Sequence, residues 1–64
     1  MKKYLKDGKP HYGIGDTAKL LETNARKIKE LMGSGELDWN QTRKNGRLIV
    51  EAESIIRYRQ RSTR

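Results

Sequence analysis

A chain of 64 residues without a single cysteine must hold its fold by packing alone. With one histidine, His11, as the only nitrogen ligand of that type, neither a disulfide framework nor a four-ligand zinc site can be assembled. A domain of this size buries only about 60% of the surface its unfolded chain exposes. The core must therefore be small, the stability modest, and a separate catalytic domain has no room. The longest apolar runs, such as Leu48-Ile49-Val50, are far shorter than a membrane span, and the N-terminal lysines are not followed by the apolar stretch of a signal peptide. A soluble, cytoplasmic protein is expected.

Fifteen Lys and Arg against eight Asp and Glu give a formal net charge of +7 and a pI near 10.1. Such an excess points to a polyanionic partner, most commonly a phosphate backbone. By itself it also fits an anionic membrane surface or a ribosomal RNA contact.

Residues 1–11 carry Lys2, Lys3, Lys6 and Lys9 around Asp7-Gly8 and Pro10, with Tyr4 and Leu5 as the available anchors. They are expected to form a basic arm or a short edge strand. From Ile14 to Leu21 the positions Ile14, Ala18 and Leu21 share one helical face, with Gly13 as N-cap and Asp16 in the favourable first turn. Glu22-Thr23 forms the turn to a second helix, capped by Asn24, in which Ala25, Ile28, Leu31 and Met32 share a face and which Gly33-Ser34-Gly35 ends. Two short helices joined this tightly match a helix-turn-helix unit.

Beyond Gly35 the period becomes two: Leu37 and Trp39 point one way, Asp38 and Asn40 the other. Asn45-Gly46 predicts a type I′ hairpin turn, from which Arg47–Val50 returns with Leu48 and Val50 on one face. A last helix begins near Glu51, with Ala52, Ile55, Ile56 and Arg59 along one side. The expected core adds Trp39, Leu48, Val50, Ile55 and Ile56.

This order, helix, turn, helix, basic hairpin, helix, resembles the MerR-like winged helix, and most closely its small excisionase branch, the recombination directionality factors. The likeness is carried by Tyr12-Gly-Ile-Gly-Asp-Thr-Ala-Lys-Leu-Leu21, by Asn24-Ala-Arg-Lys-Ile-Lys-Glu-Leu31 as recognition helix, by Gly35-Glu-Leu37, and by Gly46-Arg-Leu-Ile-Val50. It implies an α+β, mostly helical fold with two N-terminal helices, a β-hairpin wing and a C-terminal helix. The domain would span residues 12–60, between the arm 1–11 and a basic tail 61–64. Glu22 departs from the pattern: the family often has glycine there, and if the backbone kept positive φ a glutamate would cost on the order of 1 kcal/mol.

For duplex DNA, Asn24, Arg26, Lys27 and Lys29 are the recognition-helix candidates, with Arg26 suited to guanine because its planar fork bonds O6 and N7 together. Thr42, Arg43, Lys44, Asn45 and Arg47 are the wing candidates for the minor groove and its phosphates. Arg57, Arg59, Arg61 and Arg64 form a third basic group, of which the first three are candidates for DNA or partner contacts. If these groups neutralise about six phosphates, log affinity falls with log salt at a slope near minus five. The plainer account of each group is a solvated charged face, hairpin tip or frayed terminus.

No catalytic constellation stands out. The eight carboxylates are scattered, Gly13 and Gly15 are too isolated for a phosphate loop, and His11 beside Pro10 is expected at the surface. Neither a metal nor any other cofactor is expected, and neither is a small-molecule substrate or a membrane. The resemblance implies a factor that binds tandem sites, bends DNA, associates with itself along it, and directs a tyrosine or serine integrase to excise a mobile element. A small MerR-like transcription regulator uses the same contacts. From another class, the alternative is a basic adaptor for an acidic protein or RNA.

Overall fold

The computed structural model of the protein describes residues 2–62, so Arg64 of the expected tail lies outside the described residues. Its elements are β1 (Lys3–Lys6), β2 (Lys9–Gly13), α1 (Ile14–Leu20), α2 (Ala25–Ser34), β3 (Trp39–Gln41), β4 (Leu48–Glu51) and α3 (Ala52–Ser62). The expected fold, with two helices at the N-terminus, is therefore corrected. The chain opens with a β-hairpin, and the order is β-β-α-α-β-β-α. Both hairpins share one antiparallel sheet of strand order β1-β2-β4-β3, so the segment expected as an arm or a short edge strand enters the sheet, with β1 at its edge and β2 inside it.

The first hairpin forms because Asp7 and Gly8 both take positive φ, 54° and 77°, between the paired residues Lys6 and Lys9. That is the backbone of a two-residue turn whose twist matches the strands. β2 is then an inner strand, with His11 opposite Glu51 and Tyr12 opposite Val50 of β4. His11, expected at the surface, is fully buried. With the ring proton on Nδ1, it donates to the Lys9 carbonyl at 2.8 Å, and Nε2 accepts from the Asn40 side-chain amide at 3.2 Å. The second bond crosses β4 and ties the first hairpin to β3. Leu5, offered as an anchor, is instead exposed, while Tyr4 is half-buried.

Gly13 caps α1, its carbonyl accepting from the Thr17 hydroxyl at 2.9 Å. The turn into α2 keeps the left-handed geometry, with Glu22 at φ 56°. A β-carbon in that region costs about 1 kcal/mol. α2 ends on Gly35 at φ 85°, after which the amide of Leu37 returns to the Leu31 carbonyl at 3.2 Å.

The apolar core joins Ala18 of α1, Ile28, Leu31 and Met32 of α2, Leu37, Val50 of β4 and Ile55 of α3, with Tyr12, Ile14, Leu20, Leu21, Leu48 and Tyr58 packed around it. Four readings of the sequence change here. Ala25 is exposed at the start of α2. Ile56 is exposed, because α3 turns Ile55 and Tyr58 to the core and leaves Ile56 on the outer side. Trp39 is 45% exposed, since it sits on the edge strand β3. Ile49, left out of the expected core, is fully buried on the sheet face opposite Val50. Ile49 and Val50 are buried on opposite faces of the inner strand β4, which suits the continuous apolar run Leu48-Ile49-Val50.

Candidate nucleic-acid interface

α2 is fastened by Ile28, Leu31 and Met32, which are buried, so its remaining residues are held at a set angle to solvent. Asn24 caps it as expected, its Oδ1 accepting from the Lys27 amide at 2.9 Å. That oxygen is occupied, and Asn24 acts first as a cap. Arg26 and Lys29 are three residues apart and share a side of the helix. Lys27, also exposed, falls on the other flank. The three cations are thus not one patch: Arg26 and Lys29 go together and Lys27 stands apart.

The second hairpin departs from its expected turn. Asn45 has positive φ, 60°, but Gly46 does not. The closure runs instead over residues 42–47, with the Thr42 amide bonded to the Arg47 carbonyl at 3.0 Å, the Gly46 amide to the Arg43 carbonyl at 2.7 Å, and the Arg47 amide to the Thr42 hydroxyl at 3.2 Å. Glycine is required at 46 by space: a Cβ there would lie 2.5 Å from the Thr42 hydroxyl oxygen and 2.8 Å from the Arg43 amide nitrogen. The wider loop leaves Arg43, Lys44, Asn45 and Arg47 exposed, with Thr42 half-buried at its base.

Helix and loop meet along a line of open concavities. One, mostly apolar, lies between Lys29, Met32 and Gly33 of α2 and Trp39 and Leu48 of the second hairpin. The next shares Lys29 and Leu48 and extends over Gly13–Asp16 to Lys2, Tyr4 and Arg47. A third carries Lys2, Tyr4 and Arg47 on to Thr42, Arg43, Asn45 and Gly46. Lys29, Arg43 and Arg47 are therefore brought to one side of the molecule. Lys2, Tyr4 and Trp39 are among the lining residues missing from the sequence-based set. For the first two the signal was Asp7-Gly8, a hairpin-turn pair that brings β1 into the sheet.

The arginines of α3 are disposed differently. Arg57 is paired with Asp38 at 2.8 Å and Arg61 with Glu36 at 3.3 Å, both in the segment between α2 and β3. These exposed pairs contribute about 1 kcal/mol or less each. Arg59 is exposed, and none of the three lines the concavities above.

Among the described residues no group of three His, Cys, Asp or Glu is placed to hold a metal ion, and no helix is long and apolar enough to cross a membrane. Comparison with models of known families, with curated proteins and with solved structures gives no match for this chain.

Proposed function

We propose that the chain binds double-stranded DNA with some sequence preference, α2 lying in the major groove and the loop 42–47 on the adjacent backbone. The observation that carries this reading is the pairing of a buried stripe, Ile28, Leu31 and Met32, with Arg26 and Lys29 outward, on the side where Lys29 shares a concavity with Arg47. A helix so fastened presents long cationic side chains at low ordering cost, and a basic loop beside it supplies backbone contacts that set register. Arg26 is assigned a base contact. Lys29, Arg43, Lys44 and Arg47 are assigned phosphates.

Trp39 is the only tryptophan and lies beside Lys29, so its fluorescence reports occupancy of this side. Titration with duplex should change that emission, with an affinity that falls steeply as salt rises. Arg26→Ala should cost about 1–3 kcal/mol on the preferred duplex and much less on a random one. Equal losses on both would remove Arg26 from its role, and no binding by the parent chain at about 50 mM salt would end the DNA reading.

The narrower role, a DNA-bending factor that assists an integrase within a bacterial or phage-infected cell, rests on the sequence resemblance. Footprinting separates it from its rivals. Ordered, repeated protection at a recombination attachment site supports it, protection of one promoter favours a transcription regulator, and no protection favours an adaptor for protein or RNA.

A further inference from the structure

The N-terminal hairpin carries a feature that its place in the fold does not require. Tyr4 of β1 engages two cations at once. Arg47 reaches across the sheet to donate from Nη1 to the Tyr4 hydroxyl at 3.3 Å, and the Lys2 ammonium lies over the Tyr4 ring, 5.2 Å from its centroid. Neither cation forms an ion pair with a carboxylate among the described residues. Two like charges held by one side chain repel each other, and an anion between them relieves that repulsion while gaining charge-assisted hydrogen bonds.

We propose that Tyr4 presets Lys2 and Arg47 as a seat for a backbone phosphate of duplex DNA, so that the N-terminal hairpin lengthens the contact begun by α2. This rests on the DNA reading of α2 and the loop. Lys2, Tyr4 and Arg47 are common to two adjoining concavities, one reaching Lys29 of α2 and the other Arg43 of the loop. Asp16 is the one acidic residue lining either. A line of cations with open walls suits a chain of phosphates more than a single enclosed anion. Gly13 keeps the middle of that line clear. A Cβ there meets nothing within 4 Å, and its φ of -66° is open to any residue.

Tyr4 is a positioning residue here, and its test has to separate holding from folding. Duplex affinity is measured against salt for the parent, Lys2→Gln, Tyr4→Phe, Tyr4→Ala and Gly13→Asp, with thermal unfolding of each. Lys2→Gln should flatten the log–log salt slope by about 0.9, the value of one lost phosphate on B-DNA. Tyr4→Phe keeps the ring beneath Lys2 and frees Arg47, so it should weaken binding less than Tyr4→Ala does. Gly13→Asp retains an N-cap for α1 and sets a carboxylate in the concavity. It should leave unfolding unchanged or slightly later while lowering affinity at least as far as Lys2→Gln. If the parent binds duplex but Lys2→Gln keeps its slope and Gly13→Asp its affinity, the phosphate seat is overturned and the α2 reading stands. A parent that binds no duplex overturns both, and one that prefers single strands or RNA overturns the duplex assignment.

Discussion

The two hairpins of this small sheet each contain an Xaa-Gly pair, and the pairs act by different physics. Asp7-Gly8 closes β1 and β2 through backbone conformation, with positive φ at both residues and open space around Gly8. Asn45-Gly46 sits in a wider closure where only Asn45 has positive φ and Gly46 is needed because the Thr42 hydroxyl and the Arg43 amide crowd its Cα. The tight turn builds the sheet. The wider one spends residues on display, and it is the one that bears Arg43, Lys44 and Arg47. A dipeptide known for one turn type thus indicates where the chain reverses, while its surroundings decide how.

The hairpins are also coupled, and the largest expected effect tests that. His11→Ala removes a fully buried ring and leaves the Lys9 carbonyl and the Asn40 amide without their partner. It should destabilise the chain by about 3 kcal/mol in urea unfolding. A loss below about 0.5 kcal/mol would mean that the first hairpin hangs free as an arm.

Next in size are the two turn glycines. Gly46→Ala forces the Arg43 backbone to move and should cost about 2 kcal/mol, as overpacking does. Gly8→Ala meets no atoms and pays only for its φ of 77°, about 1 kcal/mol. Reversal of that order would show that conformation, and not crowding, governs both loops.

Trp39→Ala comes third. Because the side chain is 45% exposed on an edge strand, its loss should cost about 1 kcal/mol, well below the roughly 3–5 kcal/mol of a buried tryptophan. A cost in the higher range would restore Trp39 to the core. Smallest of all is Lys44→Ala, which should leave stability within about 0.5 kcal/mol. It should nevertheless weaken all duplexes nearly alike in a binding titration. A selective loss on one sequence would make Lys44 a base contact.

Much of the helical part was legible along the chain. Gly13, Asn24 and Gly35 mark helix ends through local backbone chemistry, which operates within a few residues and needs no distant partner. Glu22 belongs with them: its left-handed φ follows from the turn between α1 and α2. Of the candidate site, Lys29 and the loop cations were found from periodicity and turn residues. Lys2 and Tyr4 were not, because the Tyr4 bond to Arg47 spans more than forty positions and exists only once β1 is paired, and Lys2 is placed by Tyr4.

Local spacing by itself determined that this chain would carry two short helices joined by a turn, a later hairpin, a closing helix and a large excess of positive charge. Only the tertiary structure decided that the basic N-terminus would become two strands, that His11 would be buried and bonded to Asn40 of β3, that Trp39 would stay 45% exposed, and that Arg57 and Arg61 would find carboxylates. The division has one cause. Caps and turns are settled by atoms a few bonds apart, whereas burial and ion pairing depend on which strand lies beside which, and that is a property of the assembled sheet.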